Sequence, residues 1–152
     1  MKICSFAGHS IIPHEEEVKI KLKKEIINLI EKESVTTFYS GGKGTFDWLC
    51  AHTVNNLRKN YPFIKTYWML AYFPIKFDEY DTAIIKELFD GTLYPDIETV
   101  RKRFAILERN KFMVDESDFL IAYVKYGGRA EKTLKYAQKK KDIKIINIAK
   151  DR

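Results

Sequence analysis

At 152 residues the chain fits a single domain and is long enough to bury a core. Its 45% hydrophobic and 32% charged residues exclude a disordered chain, and no apolar run approaches the roughly 20 residues of a membrane span. The net charge of +6 suits polyanionic partners, from phosphorylated small molecules to nucleic acid.

Residues 2–7 read as a buried opening strand. This stretch is too short for a signal peptide, so a cytoplasmic protein is expected. Pro13 and the run Glu15, Glu16, Glu17 then signal a helix start, because carboxylates favour the positive end of a helix dipole. Val18, Leu22, Ile26, Leu29 and Ile30 recur on one face of that helix, which ends near Lys32. The β-branched and aromatic residues 35–39 make a second strand. Ser40, Gly41, Gly42, Lys43 and Gly44 break it, and a helix over 45–60 stops before Pro62. Residues 64–71 form the third strand.

The connection 72–96, with Pro74, Gly91 and Pro95, is irregular apart from a short helix near 82–89. A long helix is predicted over 97–115, with Ile97, Val100, Phe104 and Leu107 on one face. Residues 119–124 are almost continuously apolar and form the fourth strand. Gly127 and Gly128 open another helix, and 143–148 close the chain as the fifth strand. Alternation of this kind predicts an α/β, Rossmann-like sandwich: a mainly parallel five-stranded sheet of order 3-2-1-4-5 with helices on both faces. Residues 1–152 are read as one domain, with no internal repeat or linker.

Ligands of open parallel sheets bind beyond the carboxyl ends of the strands. Three segments fall at such ends: Ala7, Gly8, His9 and Ser10; Ser40 to Gly44; and Tyr126, Gly127, Gly128 and Arg129. Together they hold every glycine but Gly91. Glycine lets backbone N–H groups approach an anion, the following helix adds its positive end, and Lys43 and Arg129 add full charges. There is neither a Walker A pattern nor a clean G-x-G-x-x-G, which disfavours an ordinary NTPase or NAD enzyme.

Other chemistry is read conservatively. Cys4 and Cys50 lack metal spacing and read as buried thiols, and no His, Cys, Asp or Glu cluster suggests a metal site. No cofactor is expected. The lysine clusters at 19–24 and 139–141 read as solvated helix faces. Asp47 is either a dipole-compensating residue or a contact to a ribose hydroxyl or base. Arg109 is a fork for phosphate or carboxylate, set against a surface ion pair with Glu108 or Glu116. Asp78, Glu79 and Asp81 form a carboxylate-rich loop.

Four ordered segments carry a resemblance. Phe6-Ala7-Gly8-His9 resembles an opening F-x-G-H. Ser40-Gly41-Gly42-Lys43-Gly44-Thr45-Phe46-Asp47 resembles a second glycine loop ending in an aromatic residue and Asp. Glu108 to Asp118, with Arg109, Asn110 and Met113, resembles an R-N-x-x-M-V-D-x-S-D segment. Tyr126-Gly127-Gly128 with the helix that follows resembles a final glycine turn. On these segments the chain resembles the SLOG superfamily, the Rossmann-like group that includes the LOG cytokinin-activating hydrolases and the DNA-processing protein DprA. Within it, the small stand-alone YpsA-like bacterial proteins are the nearest in pattern.

The resemblance implies a nucleotide-binding domain acting as sensor or sequestering protein for a nucleotide or an ADP-ribose-like ligand. Its implied site is Gly8, His9, Ser10, Ser40, Gly41, Gly42, Lys43, Gly44, Asp47, Arg109, Asn110, Met113, Gly127, Gly128 and Arg129. Two alternatives stand beside it: a LOG-like nucleoside-monophosphate glycosidase or deoxyribosyltransferase-like enzyme, and a single-stranded DNA-binding protein of DprA type. Leu134 takes the place of the LOG glutamate, which disfavours hydrolysis. Homo-oligomerisation is compatible with the resemblance, since LOG proteins commonly dimerise, and no membrane partner is expected.

Overall fold

The computed structural model describes residues 1–72 and 76–149. Pro74 of the irregular connection therefore lies outside the described residues. The elements run β1 (Lys2–Gly8), α1 (Glu15–Lys32), β2 (Val35–Ser40), α2 (Thr45–Leu57), β3 (Lys65–Met69), α3 (Glu79–Leu88), β4 (Gly91–Leu93), a 3-10 turn (Lys102–Phe104), α4 (Ala105–Asp115), β5 (Phe119–Tyr123), α5 (Arg129–Gln138) and β6 (Lys144–Asn147). The sheet order is β4-β3-β2-β1-β5-β6, and every pairing is parallel. The fold is thus Rossmann-like α/β.

Side-chain alternation along the strands divides the core. Cys4 and Phe6 of β1, Phe38 of β2, and Phe119, Ile121 and Tyr123 of β5 pack with the apolar stripe of α1 and with Phe46, Cys50 and Val54 of α2. On the other face, Ile3, Tyr39 and Met69 meet Met113 of α4, while Leu120 and Ala122 meet Val114, Leu134 and Ala137 of α4 and α5. Burial on both faces explains why the central strands read as continuous apolar runs. Both cysteines are buried free thiols, and burial pushes the Cys4 thiol far above its ordinary range, so it is an inert core group.

Three expectations are corrected. The sheet has a sixth strand, β4, at the edge beyond β3. Three residues containing a glycine give no periodic signal, and long-range bonds make the strand. Thr66 N–H donates to Asp90 Oδ2 at 2.8 Å, Asp90 N–H donates to Thr66 O at 2.8 Å, and Leu70 N–H donates to Leu93 O at 2.7 Å. Arg58 anchors Asp90 from α2 at 2.7 Å.

The helix expected over 97–115 begins only at Ala105. Val100 N–H closes a turn on Ile97 O, Arg101 is extended, and Phe104 is 45% exposed. Ile97 and Val100 instead line a groove with Tyr72 and Tyr94, so a shared packing surface imitated a helical period. Helix α3 starts earlier than expected because Asp78 caps it: Asp81 N–H donates to Asp78 Oδ1 at 2.7 Å, and Asp81 returns its carboxylate to the Asp78 N–H.

Candidate functional site

Strand β1 lies between β2 and β5, so the chain leaves it to one side and returns on the other. The loops after β1 and β5 therefore diverge where Gly8 pairs with Tyr123, and a crevice opens at this switch. It holds a cavity of about 270 Å³ lined by Gly8, His9, Ser10, Lys43, Asp47, Arg109, Asn110, Gly127, Gly128 and Arg129, among others.

Gly8 ends β1 directly against α2. A side chain there would overlap the ring of Phe46, a fully buried core residue. Gly41 serves a different contact. A Cβ on it would lie 2.9 Å from both Cζ and Nη2 of Arg109 and 3.1 Å from Oδ2 of Asp47. The missing side chain lets a guanidinium and a carboxylate close over the loop.

Arg109 reaches this point from the first turns of α4 and is only 3% exposed. Its Nη1 donates to Gly41 O at 2.7 Å and to Met69 O at 3.0 Å, and its Nε donates to Asn110 Oδ1 at 3.0 Å. The arginine thereby ties α4 to the carboxyl ends of β2 and β3, a role that sequence reasoning did not assign. Asn110 extends the tie by donating to Thr133 Oγ1 of α5 at 3.3 Å.

Asp47 sits in the first turn of α2, 8% exposed, and its Oδ2 accepts from Lys43 N–H at 3.0 Å. Burial pushes its pKa up to about 6, while Arg109 and the Lys43 N–H act in the opposite direction. Among the described residues it is the sole carboxylate lining the cavity.

His9 joins the first loop to the last. Its Nε2 accepts from Lys125 N–H at 2.9 Å, which leaves the ring proton of the neutral imidazole on Nδ1. Burial lowers its pKa and favours that neutral form. The ring stacks on Tyr126 with centroids 3.8 Å apart and planes 5° from parallel. Tyr126, 57% exposed, also lines the cavity; the sequence placed it in the last ligand-end segment without giving it a role of its own. Ile106 was missed. It lies three residues before Arg109 on α4, a spacing that puts both on one face.

The amino end of α5 lines the same cavity as Asp47. Gly128 occupies the cap position with φ 139° and offers no side-chain cap, so the first N–H groups of the helix lack intrahelical partners beside the exposed Arg129.

The remaining expected site residues lie outside the lining. Met113 is a core residue packed with Ile3, Tyr39 and Met69. Ser40 donates to Asp47 O at 3.2 Å from behind the loop. Gly42 packs under Trp68, whose indole N–H donates to Gly41 O at 3.2 Å. Gly44 faces a neighbouring open groove that also includes Ser10 and Thr45.

The carboxylates of the 78–81 loop and Glu131 do not line the cavity. Asp78 and Asp81 cap α3, and Glu131 pairs with Lys135 at 3.4 Å. Leu134 packs with Ala122, Val124 and Ala130 and does not line the cavity. Leu134→Glu is therefore expected to bury an unpaired carboxylate and lower stability by about 3 kcal/mol or more. A urea midpoint equal to that of the wild type would show the side chain escaping to the cavity or to solvent.

A wholly parallel sheet with a glycine-lined cavity at its central switch defines a Rossmann-like α/β domain. Its fold matches DNA processing protein A from Helicobacter pylori, a protein with a unique single-stranded DNA binding mode. The TM-score is 0.62 at 17% identity, over 91% of this chain and 61% of that one. The chain thus spans less than two thirds of that protein's length. No family model and no curated protein matches the sequence. Among the described residues no helix is long and apolar enough to cross a membrane, and no cluster of His, Cys, Asp or Glu could hold a metal ion.

Proposed function

We propose that the chain binds a nucleotide or nucleotide-derived ligand, with the phosphate at the amino end of α5, and reports or sequesters it without hydrolysing it. The observation that carries this reading is the uncapped start of α5, which lines the cavity together with Arg129 and Lys43. A volume of about 270 Å³ falls just under the roughly 300–1,000 Å³ of typical small-molecule sites, which suits a compact ligand. Residues of the four resembling segments line this cavity or lie beside it, which supports a relationship to SLOG proteins of the YpsA-like kind. Calorimetric titration with adenosine monophosphate and ADP-ribose, with chromatography for released base, tests the reading. Saturable binding is expected, lost on Arg129→Glu, with no free base. Base release by the wild type would instead point to Asp47, the carboxylate in the cavity.

The fold likeness supports a second reading, single-stranded DNA binding. Tyr126 stacked on His9 offers an exposed aromatic face beside Lys125 and Arg129, and the charge of +6 suits a phosphate backbone. On this reading, Tyr126→Ala weakens oligonucleotide binding by about 1–3 kcal/mol and affinity falls steeply with salt. Salt-independent affinity, unchanged by Tyr126→Ala, would remove it.

A further inference from the structure

The lining of the cavity carries two polar atoms, on largely buried residues, that the fold leaves unused. Arg109 spends Nε and Nη1 on Asn110, Gly41 and Met69, while Nη2 makes no hydrogen bond to another described residue. Asp47 spends Oδ2 on Lys43, and its Oδ1 makes none. Both residues are more than nine-tenths buried and both line the cavity. Among the described residues no side-chain nitrogen or oxygen shut off from solvent lacks a partner. These two atoms therefore keep some exposure, on side chains that line the cavity.

We infer that Asp47 Oδ1 and Arg109 Nη2 recognise the hydroxyl groups of a sugar whose phosphate sits at the α5 end, so that the ligand is a free sugar phosphate or mononucleotide. This rests on the phosphate reading above. The charges select the group at these two atoms. A second anion there would face the Asp47 carboxylate at short range. An ammonium group would enter a cavity bearing three cations, Lys43, Arg109 and Arg129, against one carboxylate. A hydroxyl avoids both conflicts. It donates to the carboxylate oxygen, and a neighbouring hydroxyl oxygen accepts from the guanidinium. An internal position of a DNA strand has no free hydroxyl to offer, so these two atoms discriminate against it.

The test compares ribose 5-phosphate with inorganic phosphate by calorimetry, for the wild type and for Asp47→Asn, with thermal melting to confirm that the variant is folded. The asparagine keeps an acceptor for Lys43 N–H but removes the charge that strengthens the hydroxyl bond. The wild type is expected to bind ribose 5-phosphate at least tenfold more tightly than phosphate. Asp47→Asn is expected to weaken ribose 5-phosphate at least fivefold while leaving phosphate unchanged or tighter. Equal weakening of both probes, or a sugar preference that survives in the variant, overturns the inference and leaves the phosphate reading standing. Binding of adenosine monophosphate without binding of ribose 5-phosphate also overturns it, since a base edge would then occupy these two atoms. Failure of the wild type to bind any of these probes removes the phosphate reading and this inference with it. Should the variant not fold, the preference of the wild type for ribose 5-phosphate over phosphate decides alone, and its absence overturns the inference.

Discussion

Arg109→Ala is expected to lower folding stability by about 3–5 kcal/mol, the range found when one partner of a buried charge pair is removed. Met69 O and Gly41 O each lose the Arg109 bond, Gly41 O keeping the one from the Trp68 indole N–H, and Asn110 loses the Nε bond that orients its amide. An unsatisfied buried acceptor costs about 1–3 kcal/mol. Asp47 also loses the cation that opposes its desolvation, so its pKa rises further above 6. Against a typical total stability of about 5–15 kcal/mol, the change is large enough to unfold part of the sample. Urea denaturation at constant m checks it. A midpoint within error of the wild type would mean that the carbonyls find other donors and that Arg109 is no strut. Combining the change with Asp47→Asn is expected to recover part of the loss, because the uncompensated carboxylate goes too. A ligand-binding defect in Arg109→Ala alone therefore says little about phosphate contact.

Asp47→Asn is expected to act in the opposite direction at neutral pH. The unfolded carboxyl releases its proton near 3.8, whereas the folded one holds it to about 6. Between those values the folded state binds more protons, so the Asp47 contribution falls as pH rises through the window and then levels off. Two pKa units at about 1.36 kcal/mol each amount to about 3 kcal/mol. The variant, which resembles the protonated form, should match the wild type near pH 4 and exceed it by up to about 3 kcal/mol above pH 6. Stability curves of both proteins between pH 4 and 8 give the difference directly. A difference that is flat across this range would show that Asp47 ionises as easily in the fold as outside it.

A carboxyl at such a position, held against folding stability, accords with a role toward a ligand. The same reasoning separates the two functional readings. Stacking at Tyr126 and phosphate contact at Arg129 serve a strand or a free nucleotide alike. On the sugar inference, the free acceptor of Asp47 serves a sugar hydroxyl that an internal strand position lacks.

Local chemistry in the sequence determined the layered α/β plan. Central strands covered on both faces must be apolar throughout, as residues 119–124 are, and the stripe of Val18, Leu22, Ile26, Leu29 and Ile30 admits only a helix laid on a core. Glycine at the strand ends was equally readable, because each loop carries it within a few residues. What the tertiary structure alone decided involves partners distant in sequence. Strand β4 exists because Asp90 meets Thr66, and α4 starts late because Ile97 and Val100 find a groove before they find a helix. Met113 turns to the core rather than the cavity. Arg109 is spent on carbonyls 40 and 68 residues away, and Asp47 is buried beside it. An arginine in a sequence reads as a charge seeking an anion. Whether it meets a ligand or the carboxyl ends of two strands depends on which backbone atoms the sheet brings within 3 Å of it, and no local pattern encodes that.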